Sequence, residues 1–317
     1  VKDSPSTSSG QTGLVGEAIR AAAETLAPVS DTARLDAELL MAHALGMSRS
    51  DMLLRAMRDP APDGFAALIA RRLLHEPVAY ITGTTEFYGL TLTVTPATLI
   101  PRGDSETLIE AAREVFDNRP PPQRILDLGT GSGALLLAAL SVWPTAQGIG
   151  VERDPSAAFV AMENARRSAL DAPPDPAAME RDRALLTTLG ITPSAVSHAG
   201  GRAGFRVLDW RKRGWRAQLG VFDLILCNPP YVEADAVLDA QVRDYEPATA
   251  LFAGLDGLDD YRVLIPQLVK LLVPGGVAIF EIGHTKAEAV SAIAATAGFA
   301  VALRRDLAGR PRCVILQ

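Results

Sequence analysis

Arg124-Ile125-Leu126-Asp127-Leu128-Gly129-Thr130-Gly131-Ser132-Gly133 decides the fold. An apolar run of strand length gives way to glycines at alternate positions, and Ala134–Val142 continues as an alanine- and leucine-rich helix. Residues 148–151 then read as a second strand ending in Glu152, and Pro155 opens another helix. Strand, turn, helix, strand is a βαβ unit, so the default is a parallel sheet with a ligand at the carboxyl ends of its strands. Further strands are expected at 205–208, 222–226, 277–282, 300–303 and 313–316. The fold class expected is α/β and Rossmann-like.

The strand at 222–226 leads into Phe222-Asp223-Leu224-Ile225-Leu226-Cys227-Asn228-Pro229-Pro230-Tyr231. Successive prolines lack N–H donors and have a fixed φ, which holds Asn228 extended and leaves the Pro229 carbonyl free to accept a hydrogen bond. The Asn228 side-chain oxygen is a second acceptor, and Tyr231 adds an aromatic face. Convergent acceptors and a stacking wall suit a planar group bearing an NH2, either a carboxamide or the exocyclic amine of a nucleobase. Such a nitrogen is a poor nucleophile until it pyramidalises. Acceptors that strengthen as its N–H bonds acidify stabilise the transition state more than the ground state.

The glycines by themselves do not choose between a nicotinamide cofactor and S-adenosylmethionine. Asp127 favours the latter, because a carboxylate just before the turn repels a pyrophosphate and attracts an ammonium or a sulfonium. Glu152 can accept both ribose hydroxyls. Asp209-Trp210, after the next strand, offers a carboxylate and an aromatic wall for adenine.

The chain has 317 residues, 48% of them hydrophobic, enough for two domains. A net charge of −6 provides no basic surplus for tight, sequence-independent nucleic-acid binding. Cys227 and Cys313 form neither a metal-ligand spacing nor a disulfide framework, which fits the cytoplasm, and no metal is expected. Cys227 reads as inert packing. No stretch has membrane-spanning length. Residues 1–12 read as a disordered tail and 13–76 as a helical domain, with Ser30 or Asp31 capping its second helix and Gly46 following it. Residues 77–99 read as a β-hairpin linker. Residues 100–317 form the α/β domain, in which Asp104 or Ser105 caps the first helix. Residues 171–203, rich in proline and glycine, read as an insertion in that domain.

On these motifs the chain resembles the HemK/PrmC-type protein-(glutamine-N5) methyltransferases. The most specific part is Arg34-Leu35-Asp36-Ala37-Glu38-Leu39-Leu40, Pro77-Val78-Ala79-Tyr80-Ile81-Thr82-Gly83, Glu86-Phe87-Tyr88-Gly89-Leu90 and Leu99-Ile100-Pro101-Arg102. Tyr245-Glu246-Pro247, Leu251-Phe252-Ala253-Gly254 and Glu281-Ile282-Gly283 are also similar. The resemblance implies a Rossmann-like, S-adenosylmethionine-dependent methyltransferase domain behind a small helical substrate-recognition domain. It implies methyl transfer to the side-chain nitrogen of the glutamine in the Gly-Gly-Gln motif of class 1 peptide chain release factors. Asp127, Leu128, Gly129, Thr130, Gly131, Glu152, Trp210 and Asn228 would then contact the cofactor. Asn228, Pro229, Pro230 and Tyr231 would hold the glutamine, with Asn228, Pro229 and Tyr231 catalytic. Gly103, Ser105 and Glu152 depart from the family's usual Pro, Thr and Asp. The competing readings are an amino-methyltransferase acting on adenine or guanine in nucleic acid and a non-catalytic nucleotide-binding scaffold. The acidic charge and helical front weigh against the first, and intact Asp127, Glu152 and Asn228 weigh against the second.

Overall fold

The computed structural model describes residues 13–168, 202–217 and 219–317. The expected tail and all but the last two residues of the expected insertion lie outside them. The chain divides into two compact units, Val1–Gly83 and Thr84–Gln317.

The described part of the first unit is helical: α1 (Val15–Leu26), α2 (Ala33–Leu45), the short α3 (Arg49–Asp51) running into a π-turn at Met52–Ala56, α4 (Phe65–Leu73) and α5 (Val78–Thr82). Val15, Ile19, Leu26, Leu40, Met41 and Met52 are fully buried in one apolar cluster. Two acids of the Arg34–Leu40 motif tie the helices together. Asp36 accepts from Arg72 Nε of α4 at 2.7 Å with both side chains buried, and Glu38 accepts from Arg34 and Arg49. Removing either partner of such a buried pair leaves an uncompensated charge, so this motif serves the bundle's own stability.

Two expectations are corrected here. Thr32, and neither Ser30 nor Asp31, is the first-turn boundary of α2, because the Ser30 and Thr32 hydroxyls both donate to Asp36 at 2.7 and 2.9 Å. Residues 78–82 are helix and not hairpin, since Pro77 presets the entry and Gly83, in the left-handed region at φ 75°, ends it. The hairpin starts at Thr84.

In the second unit β1 (Thr84–Phe87) and β2 (Leu90–Thr93) form that hairpin through Tyr88 and Gly89, both with positive φ, as a two-residue turn of matching twist requires. Asn164 fixes it to the body by accepting from Thr93 N–H at 2.7 Å and donating to the Thr93 carbonyl at 2.9 Å. Then follow α6 (Glu106–Phe116), β3 (Arg124–Leu128), α7 (Ala134–Val142), β4 (Gln147–Glu152), α8 (Pro155–Arg167), β5 (Ala203–Val207) and β6 (Phe222–Cys227). The chain ends with α9 (Ala240–Tyr245), α10 (Asp259–Leu264), β7 (Leu272–Glu281), α11 (Ala287–Thr296), β8 (Val301–Arg305) and β9 (Pro311–Leu316). Ala203, expected to close the insertion, already belongs to β5.

The seven strands are ordered β5-β4-β3-β6-β7-β9-β8, parallel except that β9 runs antiparallel to both its neighbours. Helices cover both faces, so β3 and β6 are near-continuous apolar runs. Ile125 and Leu224 point into one layer with α7, and Leu126 and Ile225 into the other with Tyr261 and Leu264 of α10. The order reverses between β3 and β6, and the crevice at that switch point lies beyond their carboxyl ends.

Candidate active site

The glycine turn, Glu152, Trp210 and Asn228 come together around one cleft, because β3, β4 and β6 are neighbours and end on the same side. Gly129 N–H and Thr130 N–H both donate to the Val151 carbonyl, at 2.8 and 3.0 Å, folding the turn back over β4. Gly129 sits at φ 74°, and a Cβ there would lie 3.2 Å from the Trp210 ring. Only glycine therefore meets both the backbone and the packing demand at that position.

Asp127 lies beneath the turn, 1% exposed. One carboxyl oxygen accepts from Thr130 Oγ1 at 2.6 Å, while the other, Oδ1, is buried without a hydrogen-bond partner among the described residues. Burial pushes this carboxyl up to about 7, opposed by the Thr130 hydroxyl and by the Leu136 N–H, with the Glu152 charge adding to the rise. A buried acceptor left unpaired costs free energy unless a ligand supplies the donor.

Glu152 is already engaged by the backbone: Oε2 accepts from Gly131 N–H at 3.0 Å, and Oε1 from Arg153 and Asp154 N–H at 2.7 and 3.0 Å. A carboxylate offers about four acceptor positions, so as it stands Glu152 has room for one further hydroxyl and not for both hydroxyls of a ribose.

Trp210 forms a wall, and sequence reasoning missed what holds it. Its Nε1–H donates to Asp260 Oδ1 at 2.8 Å, and the same carboxylate, buried in α10, takes Arg211 through both oxygens at 2.9 and 3.0 Å. Asp209, expected at the cleft, instead accepts from Arg211 N–H at 2.9 Å and shapes the turn. Asp260, and not Asp209, lines the cleft together with Glu152 and Asp154. It lies far along the chain in a charged run, Asp256 to Asp260, that gave no positional signal.

At the end of β6, Asn228 and Pro230 line the cleft, whereas Pro229 is buried and Tyr231, half-buried, lies against Gly283. The Tyr231 hydroxyl donates to Glu281 Oε1 at 3.3 Å, and burial raises its phenol's pKa. Among the described residues none donates to the Pro229 carbonyl. Asn228 Nδ2 reaches Ser105 Oγ at 3.4 Å, and Ser105 Oγ donates to Glu281 Oε2 at 2.6 Å. Ser105, expected as a helix cap, makes no capping bond. Cys227 is fully buried, and that burial holds its thiol well above the usual range.

Arg102 joins the cleft's rim segments. Its guanidinium donates to the buried Glu246 carboxylate and, at 2.8 Å, to the Ile100 carbonyl, so Pro101 and Pro247 are held where they line the cleft.

Residues 17–83 match the PrmC N-terminal domain family model. A release factor glutamine methyltransferase of Bradyrhizobium diazoefficiens is 36% identical over 95% of this chain and 95% of its own length. One of Rhodospirillum rubrum is 38% identical over 89% of this chain and 78% of its own. In fold the chain is similar to the hMettl16 catalytic domain solved in complex with MAT2A 3′UTR hairpin 1, with a TM-score of 0.50 and 12% identity over 83% of this chain and 84% of that one. The Rossmann-like methyltransferase fold, the helical front unit and identity sustained over nearly the whole length agree, and the chain belongs to the release factor glutamine methyltransferase family.

Proposed function

We propose that this enzyme transfers a methyl group from S-adenosylmethionine to the side-chain amide nitrogen of the glutamine in the Gly-Gly-Gln motif of class 1 peptide chain release factors. The observation that carries this reading is the end of β6, where the cleft-lining Asn228 spends its NH2 on Ser105 and keeps its carbonyl oxygen as an acceptor, and no described residue donates to the Pro229 carbonyl that follows it. Two acceptors are what an amide NH2 requires.

The donor's fit rests on this chain's own groups. Asp127 Oδ1 is a buried acceptor without a partner, suited to an ammonium; Glu152 keeps one acceptor position for a ribose hydroxyl; and Trp210, braced by Asp260, offers a wall over Gly129. When bound, S-adenosylmethionine supplies an electrophilic methyl carbon whose bond to sulfur breaks as the new C–N bond forms. Asn228 and Pro229 hold the amide nitrogen by its hydrogens and bind more strongly as positive charge grows on it. Neither is a base. The proton therefore leaves after transfer, from a nitrogen that has become acidic, and the acceptors do not need to remove it beforehand.

The front unit, Val1–Gly83, would recognise the protein partner, since it carries a coherent helical fold whose buried acids Asp36 and Glu38 are spent on its own ion pairs. A substrate that works in translation places the reaction in the cytoplasm, with no stable nucleic-acid complex required.

The test offers labelled S-adenosylmethionine separately to release factors, to release factors with the motif's Gln replaced, and to nucleic acid. Label in the first arm alone is expected. Label that persists without the Gln, or that appears in nucleic acid, overturns the assignment. Asn228→Ala should lower the single-turnover rate at saturating donor ~10²–10³-fold, by analogy with loss of one preorganised donor to an oxyanion. Asn228→Asp that equals the parent and gains a carboxylate pH dependence would refute the acceptor mechanism.

A further inference from the structure

We propose that Glu281 and Ser105 are positioning residues that set which end of the Asn228 carboxamide meets the substrate. The inference rests on the function proposed above and adds to it the reason the amide faces one way.

A side-chain amide is nearly symmetric in shape, so packing alone does not distinguish its oxygen from its nitrogen, and a half-turn about the last bond would present the substrate NH2 with a second NH2. What distinguishes the ends is the partner behind. Ser105 Oγ lies between Asn228 Nδ2 at 3.4 Å and Glu281 Oε2 at 2.6 Å. Burial raises the Glu281 carboxyl to about 7; above that pH it only accepts, and its two oxygens take the Ser105 and Tyr231 hydroxyls. The Ser105 hydrogen is thereby committed to Glu281. Its lone pairs alone face Asn228, so only the NH2 end of the amide can turn toward Ser105, and the oxygen is left for the cleft.

The chain of bonds is itself held from several elements. Glu281 closes β7, 1% exposed, where its backbone carbonyl accepts from Tyr261 Oη of α10 at 2.7 Å. Ser105, 4% exposed, ends the 3₁₀ turn Gly103–Ser105, and its neighbour Asp104 is paired with Arg312 of β9 at 2.7 Å. These residues are distant in sequence, and the hydroxyl that joins them is one that local reading assigns to a helix cap.

The test uses the full chain and single-turnover methyl transfer to a release factor at saturating S-adenosylmethionine, with the Kd for S-adenosylhomocysteine measured alongside. Ser105→Ala should slow transfer ~3–10-fold, the worth of one oriented hydrogen bond, while leaving that Kd within about twofold. Ser105→Thr, which keeps the hydroxyl, should restore the parent rate. Glu281→Gln should also slow transfer, and the double variant should be no slower than the worse single one, because both act through one path. In an Asn228→Ala background Ser105→Ala should have no further effect, whereas a merely structural loosening of the turn would still slow that enzyme and weaken the ligand. A slow Asn228→Ala with Ser105→Ala at the parent rate, or with the two losses adding, overturns the orienting role and leaves the proposed function standing. Asn228→Ala at the parent rate overturns the acceptor reading and the orienting role together.

Discussion

Replacing Asp127 by Asn should change the stability of the ligand-free protein by an amount that depends on pH, stabilising it at about pH 8. The carboxyl is fully buried and its pKa rises from the 3.8 of a free aspartate to about 7. A folded state that prefers the proton contributes stability fully present below the unfolded pKa and lost as pH rises through the folded one. Between about pH 4 and 7 the parent therefore grows less stable as pH rises, by on the order of 4 kcal/mol in all. The substituted asparagine has no proton to lose. It keeps an acceptor for Thr130, and its NH2 lies where Oδ1 had no partner, at a fixed cost of about 1–3 kcal/mol. That cost is the same at every pH. The readout is thus the Tm difference between variant and parent, compared at about pH 5 and about pH 8. It should move in the variant's favour by about 2–3 kcal/mol, roughly 5–10 °C for a domain of this size. Glu281, also raised to about 7, titrates in both proteins and cancels. Calorimetry with S-adenosylhomocysteine should show the opposite trend, with roughly 10–100-fold weaker binding as the charge meant for an ammonium is lost. A Tm difference that does not change with pH would refute the buried-carboxylate reasoning, and unchanged ligand binding would refute the role given to Asp127.

Gly150→Ala places a Cβ 2.6 Å from the Phe205 ring and 2.9 Å from Thr130 Oγ1, so thermal denaturation should show a loss of about 1–3 kcal/mol; a Tm equal to the parent's would mean that the ring moves freely. Asp260→Ala strips Trp210 and Arg211 of their shared acceptor, and calorimetry should find weaker S-adenosylhomocysteine binding, with tryptophan emission shifted to the red as the ring loosens. Cys227 should stay unmodified by a thiol reagent until the protein unfolds, since its sulfur is buried and its pKa is raised; rapid labelling of the native protein would contradict that.

The apolar runs, the glycine turn and the Asn-Pro-Pro-Tyr segment determined by themselves that the second unit would be a parallel α/β sheet with ligand groups at its strand ends. The physical reason is local: buried strands must be apolar throughout, a sharp turn into a helix needs glycine, and prolines fix the backbone next to them. Partnerships between distant residues were not determined in that way, because no period or spacing records them. Tertiary structure alone decided that Ser105 would donate to Glu281 and leave its own helix uncapped, and that Tyr231 would turn its hydroxyl inward. It also decided that Asp260 would brace Trp210 and line the cleft, where Asp209 was expected to line it, and that Asp36 would take Ser30, Thr32 and Arg72 at once. A hydroxyl or a carboxylate near a helix start has a local partner available, and it is satisfied there only if folding brings no better one. In this chain the sheet order carries β7 beside β6 and sets Glu281 within reach of both Ser105 and Tyr231, a placement fixed by the pairing of whole strands and by no residue near Asn228 in sequence.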